Sequence, residues 1–226
     1  MLQHMLRAAS QSFYTLTYVT NLVNTSNLTT YTFTSASIGA AAEGRRIVVV
    51  TASRTITISS ITVAGQSCTQ IFSGTNGNSV FISPVIATGT TANIVVTASA
   101  SAPNMGIGIY TINGTGNYAI TNNINYEVVG SSHNTTTNTT TVTVPNYKIG
   151  NSLLWNTRGR SAHVATWSFS GTIPMTENYD VTVEAGDTGM TAGSNNATDN
   201  YVNGTVIHTT SGASPFADSY VLVRFF

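Results

Sequence analysis

Apolar residues recur at every second position along almost the whole of this chain, the period of a strand whose side chains alternate between two faces and not that of a helix. Val, Ile, Thr, Tyr and Phe dominate those positions, and β-branched and aromatic side chains suit a pleated, half-buried surface. Helices should be nearly absent. Strands are read near 12–19, 30–35, 46–52, 55–63, 67–72, 79–86, 92–98, 105–113, 123–129, 139–144, 151–157, 162–169, 179–184, 201–209 and 217–225. Turn chemistry at 63–66, 74–77, 113–116 and 158–160 punctuates them. Many short strands with frequent turns predict an all-β fold, an antiparallel β-sandwich or jelly roll.

Two segments depart from alternation. Arg46-Ile47-Val48-Val49-Val50 and Tyr220-Val221-Leu222-Val223-Arg224-Phe225-Phe226 are near-continuous apolar runs, expected for strands covered on both faces or central in a sheet. Residues 135–144 instead grade from pure polar into alternation, so the first part, with Thr139, reads as an exposed loop or an edge able to pair with another subunit. A faint internal repeat is also present. Ser37-Ile38-Gly39 before the strand at 46–52 resembles Lys148-Ile149-Gly150 before Ser152-Leu153-Leu154-Trp155. Gly89-Thr90 through Pro103 to Tyr110 likewise resembles Gly204-Thr205 through Pro215 to Val223. The pseudo-repeated halves are read as the two halves of one sandwich, because no linker composition separates them.

Residues 1–29 lack the later glycine punctuation and read as an N-terminal arm ahead of a sandwich domain at 30–226. An ordinary first strand of the same sandwich is the competing reading. Phe13, Tyr14 and Tyr18 on this segment, with Thr139, are the candidate assembly contacts.

Only 7% of residues are charged, against about 25% in an ordinary soluble domain, and the formal net charge is zero with one lysine, Lys148. Such a surface has no basic stripe for nucleic acid and no polybasic patch for a membrane surface, so neither is an expected partner. Weak self-repulsion favours close contact with neighbours, as in a subunit of a permanent assembly. The first ten residues lack the charged and apolar regions of a secretory signal, and no apolar run reaches the about 18 residues of a membrane span. The expected setting is synthesis in a host cytoplasm followed by release in a particle.

No catalytic constellation is visible. The histidines, His4, His133, His163 and His208, form no zinc-binding spacing, and no nucleophile elbow, phosphate loop or dinucleotide fingerprint occurs. Gly106-Ile107-Gly108 lies inside a strand pattern, where it marks close backbone approach. Cys68, the sole cysteine, rules out an intrachain disulfide and reads as a small buried residue. No catalytic residue, metal ligand or cofactor is therefore assigned. Five of the eight carboxylates, Glu177, Asp180, Glu184, Asp187 and Asp199, fall within residues 177–199. They lack calcium-loop spacing and read as a solvated rim or as partners of Arg158 and Arg160. If 151–157 and 162–169 form a hairpin, Trp155 lies opposite Val164 and Trp167 opposite Ser152, and the two indoles face opposite sides of one sheet. An exposed Trp167 beside Tyr179 would then be the candidate platform for a sugar or an interface. Seven Asn-x-Ser/Thr sequons follow from the abundance of Asn and Thr and are given no role.

The order of these features carries a resemblance. Tyr31-Thr32-Phe33, Ser37-Ile38-Gly39 and Arg45-Arg46-Ile47-Val48-Val49-Val50 are followed by Ile58-Ser59-Ser60-Ile61-Thr62-Val63-Ala64-Gly65-Gln66 and Phe81-Ile82-Ser83-Pro84-Val85. Gly89 to Thr97, Gly106 to Tyr110, Thr166-Trp167-Ser168-Phe169 and Thr176 to Asp180 complete the series. Over about residues 30–226 the chain resembles β-sandwich virion structural proteins of tailed bacteriophages. The resemblance implies a non-enzymatic virion part, foremost a capsid decoration (cement) protein that stabilises the head. It would contact the major capsid protein or other virion proteins, as a homo-oligomer. A tail or head-fibre component that binds host-surface glycans is the alternative the resemblance implies.

Overall fold

A computed structural model describes residues 14–54, 56–74, 77–114, 124–134, 139–160, 166–184, 188–211 and 218–226, which form seventeen strands and no helix. The first half contributes β1 (Tyr14–Asn24), β2 (Leu28–Ser37), β3 (Arg46–Ser53), β4 (Ile58–Val63), β5 (Gln66–Ser67), β6 (Thr69–Ser73), β7 (Ser79–Val85), β8 (Thr91–Ala102) and β9 (Met105–Gly114). The second contributes β10 (Tyr126–Asn134), β11 (Thr139–Tyr147), β12 (Ser152–Arg160), β13 (Thr166–Ser170), β14 (Thr176–Glu184), β15 (Thr188–Asn196), β16 (Tyr201–Ser211) and β17 (Asp218–Phe225). All pairings are antiparallel.

Each half makes its own pair of sheets. The first has the order β1-β9-β3-β7-β6 in one sheet and β2-β8-β4-β5 in the other; the second has β10-β17-β12-β15-β14 and β11-β16-β13. Laid side by side, the two orders are the same except that β5 has no counterpart. Apart from the pairs β4–β5, β6–β7 and β14–β15, consecutive strands cross from one sheet to the other, the winding of a jelly roll. β5 and β6 are one chain segment that changes sheets at Cys68, pairing with β4 before it and with β7 after it.

The irregularities repeat as well as the order. A register shift at Tyr18/Thr20 in β1 recurs at Val128/Gly130 in β10, and one at Gln70/Phe72 in β6 recurs at Glu177/Tyr179 in β14. Ser35 in β2 has φ 51 and Asn146 in β11 has φ 50, each four residues before a positive-φ glycine, Gly39 or Gly150. Bulges and left-handed residues are costly local features, and their matched placement marks the halves as two copies of one unit.

Three apolar cores hold the layers together. One fills the first half between its sheets, one fills the second half, and the third lies between β1-β9-β3-β7-β6 and β10-β17-β12-β15-β14. These two sheets are therefore inner layers, covered on both faces, while the other two are outer layers. The expected two-sided runs follow from this. Ile47 and Val49 enter the first core while Val48 and Val50 enter the middle one; Tyr220 and Leu222 enter the second-half core while Val221, Val223 and Phe225 enter the middle one. The halves are thus two stacked sandwiches, whereas the repeat alone predicts the two halves of one. At the middle interface β1 lies against β14 and β6 against β10, the reciprocal contacts of a pseudo-two-fold axis along the strands.

The hairpin expected at 151–169 does not form. β12 pairs with β15 and β17, so Trp155 lies opposite Gly193 and Leu222, while Trp167 lies opposite Thr210 on β13 of the facing outer sheet. Both indoles point into the layer between those sheets instead of to opposite sides of one. Val164 lies outside the described residues. Of the segment read as an arm, residues 14–24 are β1, paired along its length with β9 and integral to the first inner sheet.

Candidate interaction surfaces

The densest set of described polar side chains is buried between the halves. Asn156 Nδ2 donates to Thr51 O (3.1 Å) and Asn78 Oδ1 (2.8 Å), and Asn78 Nδ2 donates to Ser219 O (2.6 Å). Arg158 Nε donates to Ser53 O (3.1 Å) and Nη2 to Thr188 Oγ1 (3.2 Å), while Ser53 Oγ donates to Asn104 O (2.5 Å). Asn104 Nδ2 reaches Glu184 Oε2 at 2.5 Å, beside Arg54 at 3.9 Å from the same carboxylate. Five of these seven hydrogen bonds join the two halves, three of them from a side chain of one half to the backbone of the other. Directional bonds in a desolvated layer select one register between two otherwise apolar faces, so this belt locks the stack.

Tyr179 and Trp167 belong to that packing. Trp167 is 8% and Tyr179 7% exposed, so neither ring offers a free face for sugar stacking. Tyr179 lies over Gly108, where a Cβ would collide with its hydroxyl, and its ring is 5.5 Å from that of Tyr18. A Cβ at Gly106 would lie 2.7 Å from Val183 Cγ2, so both glycines of this pair admit β14, the close approach their position implied. Trp167 covers Gly189 and Phe169 covers Gly193, which is why the outer sheet can close on β15. Trp155 stacks on Tyr220 (4.7 Å) and on His208 (5.2 Å); burial pushes His208 down to about 4.

The other expected contacts divide. Tyr14 is buried and its N–H donates to Gly150 O at 3.0 Å; Tyr18 is half-buried and its hydroxyl donates to Asn21 Oδ1 at 2.6 Å. Thr139 is exposed on β11, an edge strand of the second outer sheet. Phe13 lies outside the described residues, as does Asp187. Glu177, Asp180 and Glu184 lie on strand β14 and not in a loop, while Asp199 is exposed between β15 and β16. Asp180 is exposed on β14, and partial desolvation lifts its carboxyl to about 6, opposed by a backbone hydrogen bond from Trp167 and aided by the Glu177 charge. Cys68 is half-buried, and desolvation pushes its thiol up to about 12, so it is not a thiolate at neutral pH.

The outer layers carry a surface that alternation does not single out. On the second, Thr139, Thr209 and Ser168 stand in one cross-strand row and Thr141, Ile207 and Ser170 in the next; on the first, Thr32, Val95 and Thr62 form such a row. No Asp, Glu, Lys or Arg occurs in any strand of either outer sheet. Strand rows spaced ~4.8 Å apart therefore present hydroxyl and methyl groups without a charge.

One end of the stack is asymmetric. In the first half Ile38 is 1% exposed and Gly39 leads into residues 40–45, whose Arg45 donates to Gly39 O, Ala40 O, Ile86 O, Thr88 O and Gly89 O at 2.6–2.9 Å. In the second half Gly150 runs at once into β12, no such loop exists, and Ile149 is 43% exposed. The two isoleucines are otherwise held alike, Ile38 N–H by Thr90 O (2.9 Å) and Ile149 N–H by Asn200 Oδ1 (3.0 Å). At the same end Val202 is 76% and Phe226 40% exposed, and Tyr126 joins them on β10. Arg224 lies under the Phe226 ring (5.0 Å), donates to Pro145 O and Asn146 O, and pairs with Glu127 at 2.6 Å.

No protein-family model, curated protein or solved structure matches this chain.

Proposed function

We propose that the chain is a non-enzymatic structural protein of a tailed-bacteriophage virion, acting as a capsid decoration (cement) protein bound to the major capsid protein or a neighbouring virion protein. The observation that carries the reading is the pair of outer sheets without a charged residue. A face of short hydroxyl and methyl side chains loses less on desolvation than a charged face and suits permanent contact with another protein. The buried belt between the halves supports it further, since a rigid double sandwich is a good strut and its polar groups are engaged in packing. The sugar-stacking alternative loses its motive with Trp167 and Tyr179 covered.

The test is to assay purified particles for the chain by mass spectrometry and to compare the heat and chelator resistance of particles with and without it. Presence on the head and loss of head stability on its removal are expected. Particles that never contain the chain would end the proposal.

A further inference from the structure

We infer that two copies of this chain pair through β2, edge to edge and antiparallel across a two-fold axis, so that the first outer sheet runs unbroken from one copy into the other. Pairing at an edge leaves the faces of both outer sheets free, so the inference does not depend on the virion reading. Its first support is how the chain treats the end strands of its sheets. An unpaired edge is a template for another chain unless charge, proline, a bulge or a cap blunts it. β14 carries Glu177, Asp180 and Glu184, and β10 carries Glu127 in its pair with Arg224. β1 is capped from the second half: Leu16 N–H donates to Asn196 Oδ1 and Asn196 Nδ2 donates to Leu16 O, both at 2.9 Å. β5 has two residues, and β6 and β13 have five each. β2 has ten residues, none of them charged or proline. It meets β8 residue for residue from Thr30 to Phe33, before the bulge at Ser35, and among the described residues no side chain caps its backbone from Thr29 to Phe33.

The second support is internal comparison. β11 is the counterpart of β2, with Asn146 in the place of Ser35 and Gly150 in that of Gly39. The same offset sets Pro145 against Thr34 and Thr139 against Leu28. Pro145 has no N–H to give to a ladder, and Arg224 Nη1 donates to its carbonyl at 2.5 Å. The edge expected at residues 139–144 to meet another subunit is thus the blunted one of the two, and β2 is the open one. The occupant follows from the same survey. An open edge is completed by a strand that is itself open, and among the described edges β2 is the strand of that kind. Two β2 strands oppose no charges. With Tyr31 at the axis, Thr30 of one copy lies opposite Thr32 of the other on the solvent face, and Thr–Thr pairs across strands are favourable. Identical strands in antiparallel register make an isologous contact, which closes at two copies.

The experiment uses the full chain and three double variants at exposed positions: Thr30→Lys with Thr32→Lys, Thr30→Glu with Thr32→Glu, and, on β11, Thr141→Lys with Thr143→Lys. Circular dichroism first establishes that each folds as the wild type does. Sedimentation velocity over a wide range of concentration is then expected to show the wild type and the β11 variant at the mass of two chains. Each β2 variant should run at the mass of one, because like charges face each other across the axis. The decisive measurement is the mixture, in which the lysine and glutamate variants of β2 should restore a species of one chain each. A wild type that stays at single-chain mass throughout would overturn the inference, as would β2 variants that still pair or a mixture that stays monomeric. So would a species that grows past two chains, or a β11 variant that is monomeric too. Absence of the chain from virions would sink the proposed function and leave these outcomes unchanged.

Discussion

Gly108 and Tyr179 meet across the two halves, and their contact shows how one missing Cβ admits a whole sheet. Gly108→Ala should cost roughly 2 kcal/mol or more in urea denaturation, because the added carbon overlaps the phenol and both backbones are fixed by ladders. The atom it meets first is the hydroxyl, which has no hydrogen-bond partner among the described residues, so Tyr179→Phe should relieve roughly 1 kcal/mol of that cost in a double-mutant cycle. His208 is the titrating counterpart. Its pKa falls from 6.5 to about 4 in the fold, so the folded state refuses a proton that the unfolded chain accepts. Its contribution is complete above pH 6.5 and is lost as pH falls toward 4, a window worth about 3 kcal/mol. Asp180 works the other way, its partly desolvated carboxyl favouring the protonated form, so its contribution is present below its unfolded value of 3.8 and is lost as pH rises through about 6. Denaturation at pH 7 and pH 4 should therefore show a smaller acid loss in His208→Phe than in the wild type, and an equal loss in both would refute this account. The close approach at Gly106 and Gly108 was legible in the sequence because two glycines inside a strand weaken it unless another backbone or ring needs the space. The identity of the ring they admit was not, since it lies about 70 residues away along the chain.

β15 is the element whose sequence does not announce a strand. Thr-Gly-Met-Thr-Ala-Gly-Ser-Asn-Asn has no apolar alternation and two glycines, so it reads as a loop. In the fold it lies between β12 and β14 in the second inner sheet, with Met190 and Ala192 on the middle core and its glycines under Trp167 and Phe169. The large side chains that would mark a strand stand on the opposing sheet. Gly193→Val should thus displace Phe169 and Gly189→Val should displace Trp167; only the second places its clash on an indole. Both should cost roughly 2 to 4 kcal/mol. Tryptophan emission should shift to the red more in Gly189→Val, and an unshifted spectrum would mean that Trp167 is not held against β15. The hairpin expected at 151–169 failed for a related reason. Turn residues at 158–160 fit a tight connection, but β12 carries apolar side chains on both faces and was drawn into an inner sheet while β13 stayed in the outer one. Local turn chemistry was outweighed by two-sided burial.

Two copies of one jelly-roll unit are stacked so that each shields the other's inner sheet, which makes the middle core common property. Neither half can open without exposing Val48, Val50, Leu154 and Val223 and breaking the belt through Asn156 and Arg158. Thermal unfolding should accordingly be a single transition. Both tryptophans lie in the second half, so their fluorescence reports that half alone, while far-ultraviolet circular dichroism reports both. Coincident midpoints are expected; an earlier transition in one probe would show that the halves unfold separately. What the sequence determined alone was the all-β class, the doubly covered runs at 46–50 and 220–226 and the existence of a repeat, because period, β-branching and turn residues act over a few positions and are written there. Tertiary structure alone decided that the repeats stack instead of sharing one sandwich and that the tryptophans are covered. Those outcomes depend on which faces meet across a hundred residues of chain, and the same alternating pattern is compatible with several such meetings until glycines, bulges and buried hydrogen bonds select one.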